Sequence, residues 1–283
     1  MRERYLGYAG KIIEVDLSQG AKEIKPLDGG LAQKFIGGRG FTSRIQYKEV
    51  RPETKPFDPE NVLIFATGPL TGTMAPGGNR FIVGGKSPLT GILGDSAAGG
   101  YWGPELKRAG YDMIIFRGKS KNPVYLWIDG DHIEIVDAKG LWGKDTFETE
   151  TLLKEKLGKD IKVASIGQAG ENLIRFASII SGYGRACGRV GMGALMGSKN
   201  LKAISVKGQK AVQVYDKARM EKISKEILEL LRTDKLCTDV VSKMGTNMWL
   251  LMMNEAGGLS TRNWQTGVFE GAEKISGERL VQK

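Results

Sequence analysis

The sequence predicts an α+β fold, with an internally duplicated domain over residues 1–210 and the opening of a helical domain over 211–283. Three observations lead there. Short strand-like runs alternate with glycine-rich breaks through the first two thirds of the chain. "GPELKRAGYDMIIFRGKSK" (103–121) lies on "GALMGSKNLKAISVKGQKA" (193–211) without a gap, with Gly103 on Gly193 and Gly118 on Gly208, each 90 residues apart. After residue 211 the apolar positions take up helical spacing.

Taken in order, "GKIIEVDLSQGAKEIKPL" alternates as a hairpin with Ser18-Gln19-Gly20 at its turn. "LAQKFIGGRGFTSRIQYKEV" is helical, breaks at Gly37, Gly38 and Gly40, and resumes. "NVLIFATG" and "RFIVGGKS" are strands joined by a long loop, "PLTGTMAPGGNR". "DSAAGGYWGPELK" and "GYGRACGRVGMGALMGSKN" each lead a glycine-rich loop into a short helix. "PVYLWIDGDHIEIVD" is a second hairpin, "TFETETLLKEKLG" an amphipathic helix and "IKVASIG" a strand. Upstream of the repeat, "NRFIV" (79–83) pairs with "IRFAS" (174–178), which sets Arg80 against Arg175. Beyond 211, Asp216 is placed to cap a helix with Met220, Ile223, Ile227 and Leu230 on one face. "DVVSKMGTNMWLLMMNEAG" also reads as helical, its methionines 244, 248, 252 and 253 as core filler.

At 283 residues the chain is long enough to bury a sizeable core. Its 40 glycines are about twice ordinary usage, without a collagen period. The balance of 42 Lys+Arg against 32 Asp+Glu, a formal +10, suits an anionic ligand or partner. No apolar stretch spans a membrane, and "MRERYLGYAG" has no signal-peptide core. Two cysteines, Cys187 and Cys237, and one histidine, His132, predict a reducing cytoplasm and exclude a four-cysteine metal site within the chain.

No catalytic set stands out. "GGKS" and "RGKS" lack the leading glycine of a phosphate loop, and "GMGALMG" lacks the preceding strand of a dinucleotide fingerprint. His132 reads as a solvated hairpin residue, and Cys187, between Arg185 and Arg189, as a packed thiol. What remains is anion binding by main chain. Small residues let backbone N–H and C=O groups approach a ligand, and Arg80, Arg185 and Arg189 at the edges grip phosphate or carboxylate bidentately. The residues read as a holder.

"TGPLTGTMAPGGNR", "KSPLTGILGDSAAGGYWGPELKRAGYD", "ASIGQAGENLIRFASI" and "RACGRVGMGALMGSKNLKAI" closely resemble the N-terminal part of tungsten-containing aldehyde:ferredoxin oxidoreductases, and "NWQTGVF" (263–269) a later segment. That resemblance implies a two-sheet N-terminal domain with a pseudo-twofold repeat, on which a tungsten bis-molybdopterin rests with magnesium bridging its phosphates. By motif, Arg80 matches the arginine between pterin and iron–sulfur cluster. Ala97 and Ala186 match the positions whose carbonyls bind magnesium. Ala98, Gly99, Arg185 and Ala186 fall among the cofactor contacts. Relatives with Asn-Ser in place of Ala97-Ala98 keep the carbonyl but differ in side chain.

The family's ligands to a 4Fe-4S cluster, and its acid/base glutamate and histidine, fall after the equivalent of residue 283. The chain therefore reads as domain one and the start of domain two: a fragment, an interrupted frame or one subunit of a split enzyme. The implied activity of the whole is aldehyde plus water to carboxylic acid, with electrons delivered to ferredoxin. Its implied partners are ferredoxin, an aldehyde and the missing C-terminal domains or a complementary subunit, with a homodimer also compatible and no nucleic acid or membrane. Two alternatives stand beside it. One is the tungsten subunit of a related reductase, such as one acting on an aromatic thioester. The other is a non-enzymatic anion-binding or assembly module.

Overall fold

The computed structural model describes residues 6–283, and the basic start at 1–5 lies outside the described residues. The chain divides into two units, the first ending at Lys217 and the second Ala218–Lys283, so the break falls seven residues past the expected 210.

In the first unit, β1 (Lys11–Asp16) and β2 (Ala21–Pro26) form the expected hairpin, and Asp16 Oδ1 accepts the Ser18 and Gln19 N–H groups at 2.8 and 3.1 Å. α1 (Gly29–Phe35) is capped by the Asp28 side chain and separated from α2 (Arg39–Glu49) at Gly37 and Gly38. Gly40, expected to break the helix, lies inside α2. A Cβ there would stand 2.0 Å from Phe35 O, so glycine serves a close approach. β3 (Leu63–Ala66), β4 (Phe81–Lys86), β5 (Leu93–Ala98), α3 (Trp102–Ala109) and β6 (Met113–Arg117) complete the first repeat. The second runs β7 (Val124–Asp129), β8 (His132–Asp137), α4 (Thr146–Leu157), β9 (Lys162–Ser165), α5 (Gln168–Glu171), β10 (Ile179–Ser181), β11 (Arg185–Cys187), α6 (Met192–Ser198) and β12 (Leu201–Lys207). Asp145 and Glu148 close a capping box at the start of α4.

The strands make two mixed sheets, ordered β2-β1-β6-β3-β4-β5 and β8-β7-β12-β9-β10-β11. The two orders coincide strand for strand, and so do the senses of pairing. β1 is parallel to β6 as β7 is to β12, and the other neighbours are antiparallel in both sheets. The duplication therefore covers the whole six-stranded sheet, beyond the stretch that sequence similarity marks.

Three apolar clusters fill the unit. The central one joins both repeats, with Phe65, Phe81, Trp102 and Leu106 meeting Leu126, Ile128, Leu195 and Ile204. α3 packs on β12 and β9 of the opposite sheet, and α6 on β4 and β3, so each repeat lends a helix to its mate. Trp102, fully buried, donates its indole N–H to Ile204 O at 3.1 Å. The outer clusters lie under α1 and α2 (Phe41, Ile45, Ile64) and under α4 (Tyr125, Leu153, Val163).

Charges are buried within these layers. Asp112 pairs with Lys107, both side chains 0% exposed, and Lys202, its counterpart 90 residues on, pairs with Glu171. Lys199, 1% exposed, donates to Pro59 O (3.2 Å) and Gly118 O (3.0 Å). Burial pushes its ammonium down to about 8, against the pull of the Glu60 and Asp16 charges. The unfolded chain thus binds more protons above pH 8, and the stability assigned to this residue rises with pH until the unfolded lysine titrates near pH 10. Urea unfolding across pH 8–10 is expected to show wild type gaining on Lys199→Met by up to about 1.4 kcal/mol per pH unit. A constant difference would contradict it.

The second unit holds α7 (Lys217–Thr233), a π-helical stretch Leu236–Val241, short turns at Ser242–Met244, Gly245–Trp249 and Leu250–Glu255, and helical ends Ala272–Ile275 and Gly277–Val281. Gly245, at φ 57°, breaks the helix expected over 239–257. The expected apolar face of α7 is open to solvent, with Ile223 at 43% and Leu230 at 70% exposure. None of Met244, Met248, Met252 and Met253 is buried, so they are not core filler. Met244 and Met248 are half-buried, with Gly277 of the last helix against Met244, while Met252 and Met253 are exposed.

Candidate functional site

The residues singled out by sequence gather where the two sheets' edge strands meet. β5 ends one sheet and β11 the other. By composition both are loops. Gly94, Asp95, Ser96 and the alanines are poor strand formers, but ladder pairing to β4 and β10 holds these segments extended. An edge strand leaves half its main-chain polar groups outside the ladder, free for another partner.

Register relates the two edges residue by residue. Starting from the 90-residue offset, Ile114 corresponds to Ile204, and their partners Phe65 and Ala164 correspond in turn. Phe65 faces Val83 as Ala164 faces Ser181, and Val83 faces Ser96 as Ser181 faces Arg185. One step along, Ile82 faces Ala97 as Ile180 faces Ala186. Ala97 and Ala186 are thus symmetry mates, an equivalence that sequence similarity alone did not supply. The same register sets Arg80 opposite Ser178 in the repeat, three residues from the Arg175 pairing read from sequence. The ladders therefore overturn the pairing of Arg80 with Arg175.

Two contacts cross the seam. Arg189 N–H donates to Ser96 Oγ at 3.0 Å, while Arg185 Cγ lies 3.2 Å from where a Cβ on Gly100 would stand. Ser96 corresponds to Arg185 by register, and Gly100 and Arg189 lie just beyond the C-terminal ends of the two strands. The matching sheet orders and the reciprocal exchange of α3 and α6 relate β5 to β11 by a local twofold axis. Ser87 Oγ further donates to Val190 O at 2.8 Å. Ser96, Ser87 and Arg189 complete the seam. Of these, only Arg189 carried a sequence signal.

Ala97 is half-buried beside the seam, Gly99 faces open space with nothing within 4 Å of an added Cβ, and Ala186 and Arg185 are exposed. Ala98 is 3% exposed, its methyl in the central core, so it can offer a ligand main chain only. Arg80 is exposed one step before Phe81, the residue facing Ala98. Among the described residues no carboxylate lies within ion-pair distance of Arg80, Arg185 or Arg189. The site is therefore a cationic seam with small residues and free main chain.

It holds no proton-transfer pair. His132 is exposed and reaches only Glu134, at 3.4 Å. Cys187 is fully buried, and burial pushes its thiol up to about 12, so it is a packed side chain despite its arginine neighbours. Among the described residues no group of three or more His, Cys, Asp or Glu converges to hold a metal, and no helix is long and apolar enough to cross a membrane.

Residues 12–208 match the family model described as aldehyde ferredoxin oxidoreductase, N-terminal domain, and residues 222–283 the one described as domains 2 and 3. The chain is 49% identical over 278 residues to the tungsten-containing aldehyde ferredoxin oxidoreductase of Pyrococcus horikoshii, covering 98% of this chain and 46% of that protein. It is 41% identical over 236 residues to the aliphatic sulfonate oxidoreductase WOR-like subunit of Pyrococcus furiosus, covering 77% of this chain and 38% of that one. In structure it is similar to the active-site complex BamBC of benzoyl coenzyme A reductase in complex with 1,5-dienoyl-CoA. The TM-score is 0.84 at 37% identity, with 98% of this chain and 44% of that chain covered. The chain thus spans under half the length of these relatives. Matched along both units, it belongs to the aldehyde ferredoxin oxidoreductase family.

Proposed function

We propose that the chain is the cofactor-cradling half of an aldehyde:ferredoxin oxidoreductase, which turns an aldehyde and water into a carboxylic acid and delivers the electrons to ferredoxin. The observation that carries this is the twofold seam, where unpaired arginines and free edge main chain meet across an axis. A ligand built of two phosphate-bearing arms has the matching symmetry, and the seam's open space and uncompensated positive charge fit it. When bound, a tungsten bis-molybdopterin would supply the two-electron chemistry.

The chain's own residues hold and orient. Arg80 offers five N–H donors and a fixed positive charge at the first-repeat side. Arg185 does the same across the axis, and Gly99 leaves room for close approach. The carbonyls of Ala97 and Ala186, equivalent by register, would ligate magnesium together with phosphate oxygens, a hard-oxygen set of the kind that ion prefers. A 4Fe-4S cluster would take its ligands from outside this chain.

The test is Arg80→Ala in the assembled protein. Tungsten and pterin content and electron delivery to ferredoxin are each expected to fall about tenfold, the scale of a lost charge-assisted hydrogen bond. Full loading and full electron transfer would sink the assignment. A second reading, a tungsten subunit of a reductase for another substrate class, is favoured by the likeness to the benzoyl coenzyme A reductase complex. It predicts turnover of an aromatic thioester and none of aldehydes by the same assembly.

A further inference from the structure

The two edge strands are held unequally. Six ladder pairs join β4 to β5, from Phe81 facing Ala98 to Lys86 facing Leu93. Three join β10 to β11, from Ile179 facing Cys187 to Ser181 facing Arg185. Cys187 lies in the core and fixes the far end of β11, whereas Arg185 and Ala186 are exposed. The near end depends on the turn 182–184. Gly184 N–H donates to Ser181 O at 3.5 Å, and Gly182 and Tyr183 stand between at φ 57° and 63°, the paired positive values of a type I′ turn. Such a turn favours glycine or asparagine, and a left-handed tyrosine persists only where its surroundings hold it.

α4 does the holding. Phe147, Glu150, Thr151 and Lys154 recur at the spacing of one helical face. Phe147 stacks on the Tyr183 ring with centroids 5.7 Å apart, Lys154 Nζ lies 4.3 Å from the Tyr183 centroid, and Thr151 Oγ1 is 3.5 Å from the Tyr183 hydroxyl. Glu150, its side chain 4% exposed, accepts Tyr183 N–H on Oε2 (3.1 Å) and pairs with Lys154 through Oε1 (2.7 Å). One helix thus grips both the backbone and the ring of one residue. We infer that Tyr183 is a positioning residue: locked onto α4, it holds the turn that presents Arg185 and Ala186 at the seam. The inference rests on the reading that the seam binds a cofactor, and deepens it by naming what keeps the second-repeat edge in place.

The experiment follows hydrogen–deuterium exchange of the full chain by mass spectrometry, reading the peptides that cover 179–187. Tyr183→Asn suits the turn and removes the ring, so turn propensity and the clamp predict opposite signs. Exchange in those peptides is expected to rise about tenfold, the scale of a cation–π contact and an aromatic pair lost together. Tyr183→Phe keeps both and is expected to match wild type. Phe147→Ala weakens the clamp from the helix side and is expected to fall between them, and it decides alone should the asparagine variant fail to fold. Tyr47→Ala removes an exposed aromatic from α2, on the other sheet, and is expected to change nothing in these peptides.

Exchange unchanged or slower in Tyr183→Asn, or equally raised in Tyr183→Phe, overturns the inference. The cofactor content of the assembled protein separates it from the broader reading. Tungsten and pterin are expected to fall with Tyr183→Asn and to return with Tyr183→Phe. A loaded wild type whose content is indifferent to Tyr183→Asn ends the positioning role and leaves the reading standing. An assembly that never contains pterin, with exchange behaving as expected, ends the reading and leaves the turn clamped by α4.

Discussion

Replacing Gly191 with alanine is expected to lower the melting temperature by about 10 °C or more, or to leave the chain insoluble. Two independent penalties meet at this residue. Its φ of 74° is left-handed, which costs a side-chain-bearing residue roughly 1–2 kcal/mol. An added Cβ would also stand 1.9 Å from Arg175 O and 2.9 Å from Arg175 C, main-chain atoms that cannot swing aside. Gly191 is the N-cap of α6 and follows Arg189 and Val190, the residues that bond to Ser96 and Ser87. Relief of the clash therefore moves the helix start, the seam or both. The sum exceeds about 4 kcal/mol. Thermal unfolding followed by circular dichroism measures it, and a melting temperature within 2 °C of wild type, about the scale of 1 kcal/mol or less, would show that the segment yields freely.

Lys107→Met is expected to cost about 3–5 kcal/mol, the penalty for leaving one charge of a buried pair alone. Lys107 Nζ lies 2.5 Å from Asp112 Oδ1 and 2.7 Å from Gly7 O, with both side chains shut off from water. Burial lowers the lysine's affinity for its proton, and Asp112 opposes that shift. Asp112 also accepts the Ala9 and Gly10 N–H groups at 3.0 and 2.7 Å, so the pair pins the chain before β1 to the strand start at β6. Methionine fills the stem's volume, so the loss isolates charge and hydrogen bonding from packing. Adding Asp112→Asn should restore part of the loss, because a neutral amide no longer needs a counterion. Urea unfolding of both single variants and the double variant gives the coupling, expected at 0.5–3 kcal/mol. Strictly additive losses would show that the two groups act independently.

Sequence pattern reached most of this fold. The two hairpins, the buried strands and the 90-residue offset are written in alternation and glycine spacing, because those signals are local. Three things were not. "LGDSAA" has the composition of a loop, and only its pairing with β4 makes it a strand. The similarity of "NRFIV" to "IRFAS" misplaced Arg80's counterpart, since short matches carry no register while hydrogen-bonded ladders do. The exchange of α3 and α6 between sheets depends on contacts about a hundred residues apart. For the site, the small residues and arginines were visible. The cross-seam contacts of Ser96 and Gly100 were not, because serine and glycine have many uses and only the assembled seam gives them this one.

The seam between β5 and β11 has a temporal meaning as well as a spatial one. Neither repeat owns the seam; it exists only where the two repeats, each covered by the other's helix, are packed together. A ligand that binds there would meet folded molecules only, and would draw the population toward the folded form. Loading at the proposed site would thereby act as a checkpoint on folding, enforced by geometry and requiring no separate inspector.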